Sequence, residues 1–136
     1  GKSKLKLERP LVYRFLDLEK MKIECPKGMK VTFYDTLENV ESVLTANYGL
    51  LLSEEQYLKV QDSVVFQNNK KDRLDTELLN IFFEKDSIYT DKFVKVSTET
   101  GLISGTGLVS NSNFTKYELL NIRDSHYNVN EKKEDE

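Results

Sequence analysis

The fold is decided by residues 58–91, which read LKVQDSVVFQNNKKDRLDTELLNIFFEKDSIYTD. Apolar, β-branched and aromatic residues are concentrated in three short runs of this stretch, Val64–Phe66, Leu74–Phe83 and Ser87–Thr90. Polar residues such as those at 67–72 separate the runs. Short runs of this kind, bounded by Asn and Asp, are typical of β-strands joined by turns. The stretch therefore predicts three strands in series.

The same unit recurs on both sides of this stretch. Positions thirty residues apart match Leu44 with Leu74 and Ala46 with Thr76. The matches twenty-nine residues apart are Leu74 with Ile103, Thr76 with Gly105, and Leu79 with Leu108. This repetition predicts about three copies of one strand-rich unit, stacked into an elongated β architecture.

The whole chain follows the same pattern and predicts an all-β fold. The predicted strands lie near residues 11–16, 19–25, 29–34, 42–51, 56–60, 63–67, 74–83, 87–90, 93–98, 102–110 and 115–122. We expect residues 1–9 to be flexible, residues 10–122 to form a single domain, and residues 123–136 to be a polar, disordered tail.

Charge and composition exclude several classes of function. The 136 residues carry a net charge of -3, and the tail at 131–136 contributes -2 of it, so the remainder is nearly neutral at -1. A nearly neutral chain gives no electrostatic basis for binding nucleic acid. No run of about eighteen apolar residues occurs, so no part of the sequence is predicted to cross a membrane as a helix.

Residues that could carry catalysis or bind a metal are sparse. Cys25 is the single cysteine and His126 the single histidine, so the sequence predicts neither an internal disulfide nor a metal site. Gly105 and Gly107 form a Gly-x-Gly, but strand-like sequence follows it rather than the helix of a nucleotide-binding loop. We therefore expect no enzymatic activity, no cofactor and no metal.

The aromatic and small residues of the strands allow two interpretations. Aromatic side chains in strands are ordinarily core and cross-strand partners, which favours a packed interior. Several positions predicted to point the same way are small, among them Ala46, Thr76 and Gly105. Small inward residues leave room, and room inside a β fold can hold a ligand. An apolar groove is therefore the functional alternative to a filled core.

Five segments, taken together in their order and spacing, resemble one protein family. They are Pro26–Met29 (PKGM), Val43–Gly49 (VLTANYG), Leu74–Leu79 (LDTELL), Ile88–Val96 (IYTDKFVKV) and Leu102–Leu108 (LISGTGL). Over roughly Ile23 to Val129 the chain resembles the OstA-like proteins of lipopolysaccharide export. It is most similar to the LptC family, in the short form found in Bacteroides relatives.

This resemblance implies a twisted, boat-like antiparallel β-jellyroll, also called a β-taco, with an apolar interior. It implies a non-enzymatic carrier that receives lipopolysaccharide, by its lipid A acyl chains, from an ABC transporter complex of the inner membrane. The carrier would pass it to a periplasmic LptA-like bridge protein. The resemblance also implies a periplasmic location and a tether to the inner membrane by a segment N-terminal to this sequence.

The repeat and the resemblance together suggest the residues of such a site. The candidate groove residues are Leu44, Ala46, Tyr48, Leu74, Thr76, Leu79, Ile103, Gly105 and Leu108. The candidate docking edges are Leu11, Val12 and Tyr13 at one end of the sheet and Leu119 and Leu120 at the other. The alternative hypothesis is a structural or adhesive β-solenoid with a fully packed core and no lipid ligand.

Overall fold

The structure, a computed structural model, describes residues 4–8 and 14–127. These residues form twelve β-strands. The strands are Lys4–Glu8 (β1), Arg14–Asp17 (β2), Lys22–Cys25 (β3), Met29–Tyr34 (β4), Val40–Ala46 (β5), Tyr48–Leu52 (β6), Tyr57–Asn68 (β7), Arg73–Phe82 (β8), Ser87–Ser97 (β9), Gly101–Ser110 (β10), Tyr117–Leu119 (β11) and Ile122–Tyr127 (β12).

All twelve strands belong to one antiparallel sheet, which divides into two half-sheets. Half-sheet I contains β2, β3, β6 and β11, whereas half-sheet II contains β1, β4, β5 and β12. The long strands β7 to β10 run through both. In β7, for example, residues 57–61 pair with β6 and residues 65–68 pair with β5. The long strands therefore hold the two half-sheets together.

A line of corners separates the half-sheets. Strand pairing shifts register inside the long strands between Gln61 and Val64, between Thr76 and Asn80, and between Thr106 and Leu108. Residues with left-handed backbone φ angles lie along this line: Gly28, Asp62, Ser63, Gly107 and Asn121. Because bulges bend a strand and increase its twist, these corners fold the sheet over onto itself.

Hairpin turns lie along the two outer rims. The rim of half-sheet I carries the turns at 18–21, 53–56, 83–86 and 111–116, and the rim of half-sheet II carries those at 35–39, 69–72 and 98–100. In several turns the last residue has a positive φ and donates its amide N–H to the residue three positions earlier, as Asp86 does to Phe83 at 3.1 Å. Such turns follow the twist of the flanking strands.

The hydrophobic core lies between the two half-sheets. Directly paired residues of neighbouring antiparallel strands point to the same face, so one row runs from Leu44 through Phe66, Leu74 and Val96 to Ile103. Ile23, Leu58, Val60, Ile81 and Ile88 are the corresponding buried residues of half-sheet I. The inward faces of the two half-sheets together form one continuous cluster of buried apolar residues.

The predicted all-β class is confirmed, and several boundaries differ. The predicted strand at 42–51 is two strands because the chain passes a corner at Asn47, whose amide N–H donates to the Asp62 carbonyl at 2.9 Å. Conversely, the predicted strands at 56–60 and 63–67 are one bent strand, β7. Strand β1 lies in the segment expected to be flexible, and β12 extends into the expected tail as far as Tyr127. Both pair through backbone groups, which polar composition does not reveal.

Candidate functional site

Eight of the nine candidate groove residues lie on the inward face of the folded sheet. Leu44, Leu74 and Ile103 share one row across β5, β8 and β10, separated by Phe66 and Val96. The others are Ala46, Thr76 and Gly105 in the next row of half-sheet II, and Leu79 and Leu108 beyond the corners in half-sheet I. Residues that match at a spacing of twenty-nine or thirty positions therefore lie on alternate bent strands, which run in the same direction.

These inward side chains pack against each other rather than facing open water. Leu44, Leu74, Leu79 and Leu108 each have 0% of their surface exposed. Thr76 lies among them, and its hydroxyl donates to the Phe93 carbonyl at 2.8 Å. The apolar interior is therefore filled by the chain's own side chains.

Tyr48 lies on the opposite face, so its expected inward placement is wrong. It is paired with Gln61, and its hydroxyl donates to Glu24 Oε2 at 2.7 Å on the outer surface. The corner at Asn47 interrupts the alternation of inward and outward residues that begins in β5. Gly49, one residue further, takes the inward position, where a Cβ would lie 2.4 Å from the sulfur of Met29.

Gly105 faces inward, but its small size has a local reason. A Cβ added at Gly105 would lie 2.6 Å from the Leu120 carbonyl oxygen, which is closer than real Cβ atoms approach. The corner between β11 and β12 therefore needs a glycine at this place in β10. Space for a ligand is not required to explain the residue.

A strap of six residues, Asn111–Lys116, crosses from half-sheet I to the rim of half-sheet II. The strap is the hairpin loop between β10 and β11, and the Asn111 side chain organises it by accepting the amide N–H groups of Thr115 and Lys116, each at 2.9 Å. Its hydrogen bonds to half-sheet II join Asn113 to Glu41, Lys70 Nζ to the Thr115 carbonyl at 3.2 Å, and Asn68 Nδ2 to the Phe114 carbonyl at 2.8 Å.

Phe114 is the apolar centre of the strap and is fully buried. Its ring stacks on Tyr117 at a centroid distance of 4.6 Å and contacts Phe66 at 5.3 Å, and Phe66 in turn stacks on Phe33 at 5.5 Å. Its backbone φ is 57°, which is unusual for a bulky residue. The strand pattern of the sequence does not identify Phe114 as a core residue. The one feature that could have identified it is that an aromatic residue stands alone within a polar turn.

Beside the strap, the hydroxyl of Ser42 is buried on the inward face. Ser42 lies between Phe33 and Asn68 in the paired strands, on the inward face, and only 2% of its surface is exposed. Among the residues that the structure describes, no group hydrogen-bonds its Oγ. Buried hydroxyls are rarely left without a hydrogen bond, because losing hydration without compensation is costly.

The two ends of the sheet differ in their exposed residues. Strand β2 is the outermost described strand of half-sheet I, and the exposed apolar residues in and after it are Phe15, Leu16, Leu18 and Met21. The predicted edge residues Leu11, Val12 and Tyr13 lie outside the described residues. At the other end β11 and β12 both pair with β10, and Leu119 and Leu120 lie there, half-buried.

Two tyrosines are hydrogen-bonded to carboxylates where strands meet. Burial and the bond to Glu24 raise the pKa of Tyr48 to about 12, and the bonds from Tyr48 and Arg14 lower the pKa of Glu24. This cluster connects β2, β3 and β6 on the outer face. Near the strap, burial and a 2.8 Å bond to Asp72 strongly raise the pKa of Tyr117. Both tyrosines therefore remain neutral donors at physiological pH.

A shallow depression of about 630 Å³ lies on the outer face of half-sheet II, beside Phe93. Arg73 binds Asp75 through two nitrogens, each bond being 3.0 Å long, and Lys95 lies opposite Asp75 on the next strand. Charges of both signs thus lie side by side, which gives no strong field for an anionic group. Among the residues whose side chains the structure describes, 14–123 and 125, no group of three or more His, Cys, Asp or Glu is placed to hold a metal. The same residues contain no helix long and apolar enough to cross a membrane.

Comparison with known proteins identifies the family. The model of the family described as "Lipopolysaccharide-assembly, LptC-related" matches residues 11–128. The fold is similar to that of LptH from Pseudomonas aeruginosa, described as the LptA-homologous periplasmic component of a lipopolysaccharide transport device. The TM-score is 0.63 at 13% identity, over 85% of this chain and 81% of that one. A search of curated proteins found no significant match. Because the family model spans most of its length, this chain belongs to the LptC-related family of lipopolysaccharide-assembly proteins.

Proposed function

We propose that this protein carries lipopolysaccharide by holding its acyl chains between the two half-sheets. In this proposal it receives lipopolysaccharide from an ABC transporter complex of the inner membrane and passes it to a periplasmic LptA-like bridge protein. The observation that carries the proposal is the continuous inward apolar face, built from both half-sheets in a member of a lipopolysaccharide-assembly family. The carrier itself performs no chemistry on the lipid.

The physical argument starts from the cost of exposing an acyl chain to water. Each buried CH₂ group is worth about 0.8 kcal/mol, so a lipid with several chains cannot cross an aqueous compartment unprotected. The inward rows through Leu44, Leu74 and Ile103, and through Leu79 and Leu108, give an apolar surface along the sheet. A folded sheet that opens along its rims keeps the chains dry while the charged sugar remains in water.

The two ends of the sheet supply the docking edges of the proposal. Open edges normally risk aggregation, but they can also pair with another sheet by strand addition. We assign the end of the sheet that contains β2 to the transporter. The reason is that β2 lies early in the chain and the predicted membrane tether is N-terminal to it. The edge formed by β11, which contains Leu119, is assigned to the bridge protein. Lipid would then move along one continuous sheet in a periplasmic assembly tethered to the inner membrane.

The structural or adhesive solenoid is the weaker alternative. Its packed interior agrees with the burial of Leu44, Leu74 and Leu79. It does not account for membership of a lipopolysaccharide-assembly family, and it assigns no role to the strap or to the buried Ser42 hydroxyl. The two hypotheses differ in whether the protein binds an acylated lipid.

Native mass spectrometry tests the proposal directly. The purified protein is mixed with lipopolysaccharide in mild detergent and, in a parallel sample, with the same lipopolysaccharide after chemical removal of its acyl chains. We expect a complex with the acylated form only, because the chains supply the binding free energy. Binding of both forms would show that the protein recognises the sugar rather than the acyl chains. Binding of neither form would favour the structural alternative.

A further inference from the structure

We infer that an acyl chain enters the interior through the pocket beneath the strap, meaning the space between Phe66 and Tyr117 that the Phe114 ring occupies, and that Phe114 fills this pocket until the chain displaces it. The inference rests on the proposed function. It adds the opening through which the acyl chain enters and a polar contact for that chain. The ligand class is an acyl chain with an oxygen-bearing group, such as an ester or amide carbonyl, at its outer end. The hydroxyl of Ser42 would donate a hydrogen bond to that oxygen.

The position of the strap carries the first step of the argument. Residues 111–116 belong to half-sheet I, since β10 and β11 pair there, yet Asn113 and Thr115 are bonded to the opposite rim at Glu41 and Lys70. The rims are where a folded sheet must part if its interior is to open. The strap therefore spans the opening and must release half-sheet II before a chain can pass.

The chemistry of the strap carries the second step. Apart from the ring of Phe114, its contacts across the opening are hydrogen bonds, and water can replace them once the strap lifts, since an intramolecular hydrogen bond contributes only about 1 kcal/mol. Its centre is a single apolar ring, Phe114, packed on Phe66. An acyl chain can replace that ring with other apolar contacts. Ligand binding would thus exchange one apolar occupant of the pocket for another.

Ser42 supplies an independent third step. It is paired directly with Phe33 and Asn68, and Asn68 holds the Phe114 carbonyl, so Ser42 borders the same pocket. Its Oγ is buried and has no hydrogen-bond partner among the described residues. A purely apolar occupant would leave this hydroxyl without a hydrogen bond, whereas the carbonyl oxygen of an acyl chain would accept a hydrogen bond from it. Ser42 is therefore the polar contact of the proposed site.

A pair of disulfide variants tests whether the strap must move. Glu41→Cys with Asn113→Cys joins the strap to half-sheet II, while Asp86→Cys with Ser112→Cys joins it only to a neighbouring turn of its own half-sheet, where Ser112 N lies 2.9 Å from Asp86 Oδ1. Both pairs are made in a Cys25→Ala background, and closure is checked by thiol titration. Binding is measured by the anisotropy of fluorescently labelled lipopolysaccharide.

We expect the cross-rim disulfide to weaken binding at least tenfold and a reductant to restore it, while the control disulfide has no effect. Equal binding by the oxidised cross-rim variant would overturn the inference and leave the proposed function intact. Absence of binding by the wild type would overturn both.

Two single substitutions test the pocket without any disulfide. Phe114→Leu weakens the resident occupant, so we expect tighter lipopolysaccharide binding together with a lower urea midpoint, because a more populated open state raises apparent affinity. A purely structural Phe114 predicts the lower midpoint without tighter binding, which would contradict the inference. Ser42→Ala should weaken binding about three- to tenfold without lowering stability, as expected for one lost hydrogen bond. Unchanged affinity would remove Ser42 from the site.

Discussion

The ring of Phe114 lies 5.3 Å from the ring of Phe66, although the two residues belong to opposite half-sheets. Phe66 is an inward residue of β7, in the row that also contains Leu44 and Leu74, and Phe114 is in a hairpin loop at the far rim. This contact closes the folded sheet on its open side. The ring of this loop residue thus covers part of the apolar interior.

The first prediction concerns the stability that this contact provides. Phe114→Ala removes a fully buried ring and should lower the free energy of unfolding by about 3–5 kcal/mol. The matched control is Phe93→Ala on the outer face, where 58% of the residue's surface is exposed and the loss should be below about 1 kcal/mol. Urea unfolding measures both. Similar losses for the two variants would mean that Phe114 is not packed as described.

The second prediction concerns the outer-face cluster around Tyr48. The pKa of Tyr48 is raised from the usual tyrosine value of 10.0 to about 12, so its neutral hydroxyl stabilises the fold below pH 10 and this contribution is lost as the pH rises toward 12. The lowered pKa of Glu24 acts in the opposite direction: its contribution is present at neutral pH and is lost on acidification below its usual titration range.

Tyr48→Phe isolates these effects from the other titrating groups. We expect the wild type to be more stable than Tyr48→Phe at pH 8, and the difference in unfolding free energy to shrink between pH 10 and 12 and again in acid. Denaturant unfolding at each pH measures it. A difference that is constant with pH would show that the Tyr48–Glu24 bond contributes no pH-dependent stability.

The third prediction concerns the edge formed by β11. The amide N–H of Leu120 donates to the Gly107 carbonyl at 2.9 Å, so the N–H of Leu119, one residue earlier, points away from β10. Leu119→Pro removes this outward donor, whereas Leu119→Ala removes the same side chain and keeps the donor. We expect only the proline variant to lose association with an LptA-like bridge protein in a pull-down. Equal loss in both variants would place the contact in the side chain, and full association of the proline variant would exclude β11 as the docking edge.

The fourth prediction separates two roles of Gly105. If glycine is needed because the Leu120 carbonyl would lie 2.6 Å from a Cβ, then Gly105→Ala should lower stability by about 1–3 kcal/mol. If glycine only leaves room for lipid, the same variant should keep its stability and lose affinity for lipopolysaccharide. Thermal unfolding and the binding assay, performed on the same sample, distinguish the two.

The sequence predicts the repeated rows well and the corners poorly. The spacing of Leu44, Leu74 and Ile103 identifies inward residues because each match spans two bent strands and preserves the alternation of faces. Tyr48 is misplaced because a corner lies at Asn47, and a corner made by backbone conformation leaves little trace in side-chain pattern. Phe114 escapes prediction for a different reason: its burial depends on a contact between two rims that are distant in sequence.

The proposed placement of acyl chains between the half-sheets is tested most directly at two adjacent leucines. Leu78 and Leu79 follow each other in β8, but Leu79 is fully buried on the inward face and Leu78 points outward opposite Gln61. A leucine-sized diazirine amino acid is placed at each position in turn, which conserves side-chain volume. After illumination with lipopolysaccharide, we expect a lipid adduct from position 79 and little or none from position 78. An adduct from position 78 alone, or equal yields from both, would contradict binding inside the folded sheet.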